Sequence, residues 1–161
     1  MAIEFDGEFT VDTSRDAAFA VLSDVQKFSP MLPTYQSHEL CDDGSCNVTV
    51  KVGVGKIRGN AIVNLALTEH KEPVSATYAG KGKIMGGAFN LLAAFDLHDA
   101  GHGGTRIVWR GELTIFGKLV SLAGGLIKPV AGKQIQELVD AIQASLAGAV
   151  SPADQRSRQS Q

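Results

Sequence analysis

Residues Gly117 to Leu146 read GKLVSLAGGLIKPVAGKQIQELVDAIQASL, the last long apolar stretch before a polar tail. Set at about 100° per residue, Leu119, Ala123, Leu126, Ile127 and Val130 fall on one side and Lys118, Ser121 and Lys128 on the other, the pattern of an amphipathic helix. After Pro129 the apolar set becomes Ala131, Ile135, Leu138, Val139, Ile142 and Leu146, its centre rotated by roughly 120°. A proline inside a helix removes one backbone hydrogen bond and crowds the preceding turn, so a kink or short break is expected near Lys128 to Val130. The expectation is a first half that covers a cavity and a second half that packs on a sheet.

That sheet is legible upstream. Ile3, Phe5, Gly7, Phe9 and Val11 alternate with Glu4, Asp6, Glu8 and Thr10, the period of a half-buried strand. Thr13 or Ser14 then caps a short helix carrying Ala17, Ala18, Phe19, Val21 and Leu22, and Asp24 caps a second turn with Val25 and Phe28, stopped by Pro30 and Pro33. From Ser37 to Ile115 the chain reads as strands at Ser37 to Cys41, Cys46 to Val54, Ile57 to Thr68, Val74 to Gly80, Ala88 to His98 and Thr105 to Ile115. Short polar connections between them favour antiparallel neighbours. The order is one strand, two small helices, six strands and one long helix. A single sheet has one apolar face to cover, and only the last helix is long enough to cover it. Glycines at 53, 55, 59, 82, 86, 87 and 111 are read as bends that let the sheet curl.

The 161 residues suit one domain, expected over 1–148, with a disordered polar tail over 149–161. Hydrophobic residues at 44%, charged residues at 20% and a net charge of -2 give no broad basic field for nucleic acid. Met1-Ala-Ile-Glu-Phe-Asp carries acids where a signal peptide needs a basic start, so a cytoplasmic location is expected. Lys118 and Lys128 interrupt the best membrane-span candidate, although Leu119 to Ile127 suits a bilayer surface. Cys41 and Cys46 flank Asp42-Asp43-Gly44-Ser45 and could face each other across a hairpin; a reducing compartment favours free thiols.

Several pieces, in order and spacing, carry a resemblance: Phe5-Asp-Gly-Glu-Phe, Val21-Leu-Ser-Asp, Met31-Leu-Pro33, Val50-Lys-Val-Gly-Val-Gly-Lys-Ile-Arg-Gly59, Gly80-Lys-Gly82, Gly104-Thr-Arg-Ile-Val-Trp109 and Gly117-Lys-Leu. Together, from Ile3 to Leu146, they resemble the carbon monoxide dehydrogenase CoxG family of the START/SRPBCC superfamily. The resemblance implies an α+β helix-grip fold: a seven-stranded curved antiparallel sheet wrapped around a long C-terminal helix, with two short helices after strand one. Thr34 stands where the family usually has glycine. Longer members add a linker and a C-terminal segment linked with membrane attachment, which the polar tail here does not resemble. The resemblance implies a cytoplasmic accessory protein of molybdenum-containing CO dehydrogenases or related hydroxylases, acting at the inner face of the membrane. The superfamily implies a pocket for an apolar molecule.

Reactive chemistry is sparse. Gly53-Val-Gly55 with Gly59 misses a dinucleotide fingerprint because Arg58 holds the third glycine's place. Lys81 and Lys83 are expected on a solvated hairpin rather than at an anion. His98, Asp99 and His102, or His38 with Cys41 and Cys46, lack the three well-oriented ligands of a catalytic zinc. Neither a nucleophile motif nor a carboxylate pair stands in phase with the apolar sets.

Apolar surface does converge: Phe28, Met31 and Leu32 at the mouth, Val63, Tyr78, Phe89 and Trp109 along the sheet, and Leu122, Leu126, Ile127 and Val130 above. These are the candidate ligand-binding residues. Met31 and Met85 suit a variable cavity, and Tyr78 or Trp109 can offer a ligand head one hydrogen bond. The expected ligand is a quinone or other apolar lipid, with no tightly bound cofactor and no metal, and the expected partner is a CO dehydrogenase-like oxidoreductase. Two other readings compete: an enzyme like the polyketide cyclases of this fold, which needs acid/base groups in the cavity, and a membrane-docking factor whose interior is filled.

Overall fold

The computed structural model describes residues 2–54, 57–84 and 86–150, leaving aside the side chains of 54, 122–124 and 147–150. The expected Gly55-Lys56 turn, Met85 and the tail beyond 150 lie outside the described residues. The elements run β1 (Ala2–Val11), α1 (Arg15–Leu22), α2 (Val25–Phe28), a 3-10 turn (Ser29–Met31), β2 (Tyr35–Leu40), β3 (Cys46–Val54), β4 (Ile57–Lys71), β5 (Ser75–Ile84), β6 (Gly87–Gly101), β7 (Gly104–Gly117) and α3 (Lys118–Val150). This is the order read from the sequence. All seven strands form one antiparallel sheet in the order β1-β7-β6-β5-β4-β3-β2, curved against α3. Consecutive strands from β2 to β7 are hairpin neighbours, while α1 and α2 carry the chain from one sheet edge to the other.

Local chemistry fixes the small helices. The Ser14 hydroxyl accepts from the Ala17 amide at 3.2 Å and Asp24 Oδ1 accepts from the Gln26 amide at 3.0 Å, so each supplies a partner to an otherwise orphan donor. Thr13 does not cap; its carbonyl accepts from the buried Thr105 hydroxyl at 2.8 Å and ties the start of α1 to β7. Thr34, at the position read as a family glycine, holds a left-handed φ of 59°. Its hydroxyl donates to the Lys51 carbonyl at 2.6 Å, which helps offset the strain of a branched residue there.

Three expectations are corrected. The Gly80 to Gly87 run is not a turn: Gly80 to Ile84 continue β5 in register with β6, and Lys81 and Lys83 stand exposed on the sheet's outer face. The strand survives because Gly80 and Gly82 are vacant seats: an added Cβ would meet the Leu91 and Phe89 side chains, each the glycine's register partner. The expected break at Pro129 is also missing, for α3 is one helix of 33 residues with Pro129 inside it. Pro129 and Gly125 are both exposed, so the carbonyl freed four residues before the proline lies on the wet side, where water replaces the lost bond. Finally, the two halves of α3 do not divide the labour as expected, since Ala131, Ile135 and Leu138 line the same cavity as Ile127 and Val130.

The core falls into two clusters. One gathers α1, α2 and the C-terminal part of α3, with Phe19, Leu22, Phe28, Tyr78, Phe95, Ile107, Ile142 and Leu146. The other is smaller, with Ile57, Ala61, Ile84, Ile115 and Leu119 at the start of α3. Leu119 nests over Gly87, whose added Cβ would lie 2.5 Å from Leu119 Cγ.

Candidate functional site

Members of both clusters face a cavity of about 320 Å³, near the lower end of the ~300–1,000 Å³ typical of small-molecule sites. Its floor is the inner face of the sheet: Val50 and Val52 from β3, Val63 and Leu65 from β4, Phe89, Leu91 and Ala93 from β6, Trp109, Gly111 and Leu113 from β7. Its roof is Ile127, Val130, Ala131, Gln134, Ile135, Leu138 and Val139 of α3. Ala93 and Gly111 are register partners, so the smallest side chains meet mid-floor. The large residues nearby lie flat: Trp109 crosses Gly7, Leu91 crosses Gly80 and Phe89 crosses Gly82, each opposite its glycine in the ladder. These glycines are thus seats for neighbours rather than only bends. Side chains that would otherwise stand into the hollow are laid along its floor, and the hollow stays open.

Seven of the candidate residues border this cavity: Phe28, Leu32, Val63, Phe89, Trp109, Ile127 and Val130. Four do not. The Leu122 side chain lies outside the described residues. Met31 packs, partly buried, on the larger core cluster. Leu126 is 49% exposed, because α3 continues unbroken and turns this position to solvent. Tyr78 is fully buried, and its hydroxyl donates to the Leu22 carbonyl at 2.6 Å, so it has no hydrogen bond to offer a ligand. Burial pushes this hydroxyl above its ordinary pKa and keeps it protonated for that bond. The Tyr78 ring stacks on Phe28 at 4.7 Å, and Phe28 meets Phe95 edge-on at 5.7 Å, closing one end of the cavity.

Polar atoms are few. Arg110 and Glu112 also border the cavity, yet they flank the inward Gly111, so strand alternation points their exposed side chains to the outer face and brings only their backbone near. The polar side chains left are Gln134 and the Trp109 indole N–H, neither of which has a hydrogen-bond partner among the described residues. Nor do the described residues gather three or more His, Cys, Asp and Glu as a metal site would need. Cys41 and Cys46 are free thiols. Sequence reasoning misses Phe5, Phe9, Leu65, Leu91, Ile135 and Leu138, whose period matches the cavity set but equally fits a filled core.

The sequence pattern of the CoxG family of carbon monoxide dehydrogenase matches residues 7–147. The chain belongs to the CoxG family. No curated protein matches this CoxG-family chain. Solved structures resemble it at low identity. A conserved protein from Geobacillus kaustophilus is 18% identical, with a TM-score of 0.80 over 91% of this chain and 97% of that one. A START superfamily protein from Mycobacterium smegmatis is 14% identical, with a TM-score of 0.64 over 91% and 99%. The Zhui aromatase/cyclase from Streptomyces sp. R1128 is 16% identical, with a TM-score of 0.66 over 96% and 99%. At such identities the likeness is one of fold, and the fold is the START/SRPBCC helix-grip.

Proposed function

We propose that the protein is a non-catalytic carrier that takes a quinone or similar isoprenoid lipid into the cavity and links a molybdenum CO dehydrogenase-type oxidoreductase to the membrane quinone pool. The observation that carries this reading is the lining: a preformed hollow walled by aliphatic and aromatic side chains, in which the polar side chains are a carboxamide and an indole. Burying apolar ligand surface there is favourable at roughly 25 cal/mol per Å². A cyclase would need groups that move protons, and neither Gln134 nor Trp109 titrates usefully. Membership of the CoxG family supports the oxidoreductase as partner.

The rim supports contact with a membrane surface. Phe116, Val120 and Leu126 are large apolar side chains 44%, 42% and 49% exposed, and Lys118 and Lys128 stand beside them. Apolar groups flanked by cations suit the boundary of an anionic bilayer. No described helix is long and apolar enough to cross a membrane. The test is organic extraction of the purified protein followed by titration with quinone. One equivalent of quinone should be extracted or taken up. Protein that yields no lipid and takes up no quinone would end the proposal.

A further inference from the structure

Helix α3 crosses the sheet with a different opening on each flank. On the flank facing β3 the cavity is bordered by Leu32, Pro33, Ile127 and Val130, all apolar. On the flank facing β1 lies a second hollow of about 450 Å³, whose surface is mostly polar. Phe5, Phe9, Trp109, Ile135 and Val139 line both spaces, so the wall between them is one side chain thick.

The polarity of the second hollow comes from the free edge of β1. Gln143 Nε2 donates to the Thr10 carbonyl at 3.0 Å, so that carbonyl points away from β7. Pairing of β1 with β7 runs without a bulge, and backbone groups alternate with period two, so the peptide N–H and C=O of Glu8 and Asp6 point the same way. Gln136 stands opposite, its amide donating to Asp140 at 3.0 Å and its carbonyl left over. These are uncharged donors and acceptors. The carboxylates of Asp6 and Glu8 belong to the outer face by the same alternation, and Glu8 meets Arg106 there at 3.5 Å.

At the wall, Trp109 Nε1 would lie 3.1 Å from a Cβ built on Gly7, which places the indole N–H over the bare glycine, between the two hollows. No acceptor meets it among the described residues, although a part-buried indole N–H ordinarily has one.

We infer that this hollow is the head-group half of the ligand site: it takes the uncharged, oxygen-bearing head of an amphiphile whose apolar body fills the cavity, and Trp109 Nε1–H donates to the head's oxygen. This deepens the carrier reading above and rests on it. A carbonyl-bearing ring meets donors without meeting a like charge, while the apolar flank lets the rest of a long chain leave between Leu32 and Ile127.

The test titrates the wild type, Trp109→Phe and Gly132→Phe by equilibrium dialysis against two probes. One is a fully substituted decyl-benzoquinone; the other is decylbenzene, which keeps chain and ring but lacks the oxygens. Gly132 borders only the polar hollow, and an added Cβ there meets nothing within 4 Å, so Phe at that position fills the hollow without disturbing the cavity. The readout is the ratio of the two affinities. The ratio of quinone to decylbenzene affinity should fall about fivefold in each variant, the loss of roughly one hydrogen bond. If the wild type binds the quinone and the ratio is unchanged in either variant, the inference is overturned while the carrier reading stands. If the wild type binds neither probe, the carrier reading fails and takes the inference with it.

Discussion

The Phe89 ring lies flat across Gly82, its register partner on the neighbouring strand, in the space where any other residue would carry a Cβ. The contact is with the far end of a flexible side chain, so an added methyl would tilt the ring into the cavity rather than unfold the sheet. Gly82→Ala is therefore expected to cost about 1–2 kcal/mol of stability and to weaken uptake of an apolar ligand at least about tenfold, as the displaced ring occupies the site. Adding Phe89→Ala should restore uptake. Urea denaturation and ligand titration of both variants check this; unchanged binding in Gly82→Ala would contradict it.

The Tyr78 hydroxyl is a structural group. Tyr78→Phe leaves the Leu22 carbonyl buried without its partner, at an expected cost of about 1–3 kcal/mol. Ligand affinity should stay within about twofold, since Tyr78 does not border the cavity. Chemical denaturation read beside a binding titration separates the two effects.

Alkaline pH should weaken the fold through the same region. Burial, first, and the neighbouring Cys41, second, hold the Cys46 thiol above its ordinary 9.0, and burial raises Tyr78 in the same direction from 10.0. A group whose folded pKa exceeds its unfolded one contributes stability that is complete below the unfolded value and lost as pH rises through the folded value. Stability is thus predicted to hold to about pH 9 and then to fall, the fall being shallower in Cys46→Ala once referenced to its own stability at pH 7. Thermal melts from pH 7 to pH 11 would show it.

Pro129 interrupts the hydrogen bonding of a helix that runs on regardless. Restoring the N–H in Pro129→Ala is expected to stabilise the protein by about 1–3 kcal/mol, seen as a higher Tm. A lower Tm would mean that the proline's geometry is needed for packing.

The alternation of β1, β3, β4, β6 and β7 and the long final helix make the architecture legible, because period two and period 3.6 are written in side-chain polarity. Gly80 to Ile84 read as a turn because glycine and lysine are loop residues by composition, yet Gly80, Gly82 and Ile84 stay in phase with Tyr78. The missing signal lies across the ladder, in Leu91 and Phe89. Half of the site is harder to read. Leu65, Leu91 and Leu138 look alike in sequence whether they touch another side chain or empty space, and Tyr78 meets a helix-end carbonyl that no local pattern announces. Leu126 falls on the wrong side of the expectation because Pro129 does not break α3.

The cavity itself is the central claim, and filling it is the most direct test. Ala93 lies mid-floor opposite Gly111, so Ala93→Phe places a ring in the hollow. Native mass spectrometry of the wild type mixed with a decyl-benzoquinone should show a one-to-one adduct, and Ala93→Phe, folded by circular dichroism, should show none. An adduct of equal abundance in both proteins would mean that the ligand sits elsewhere and would contradict the account.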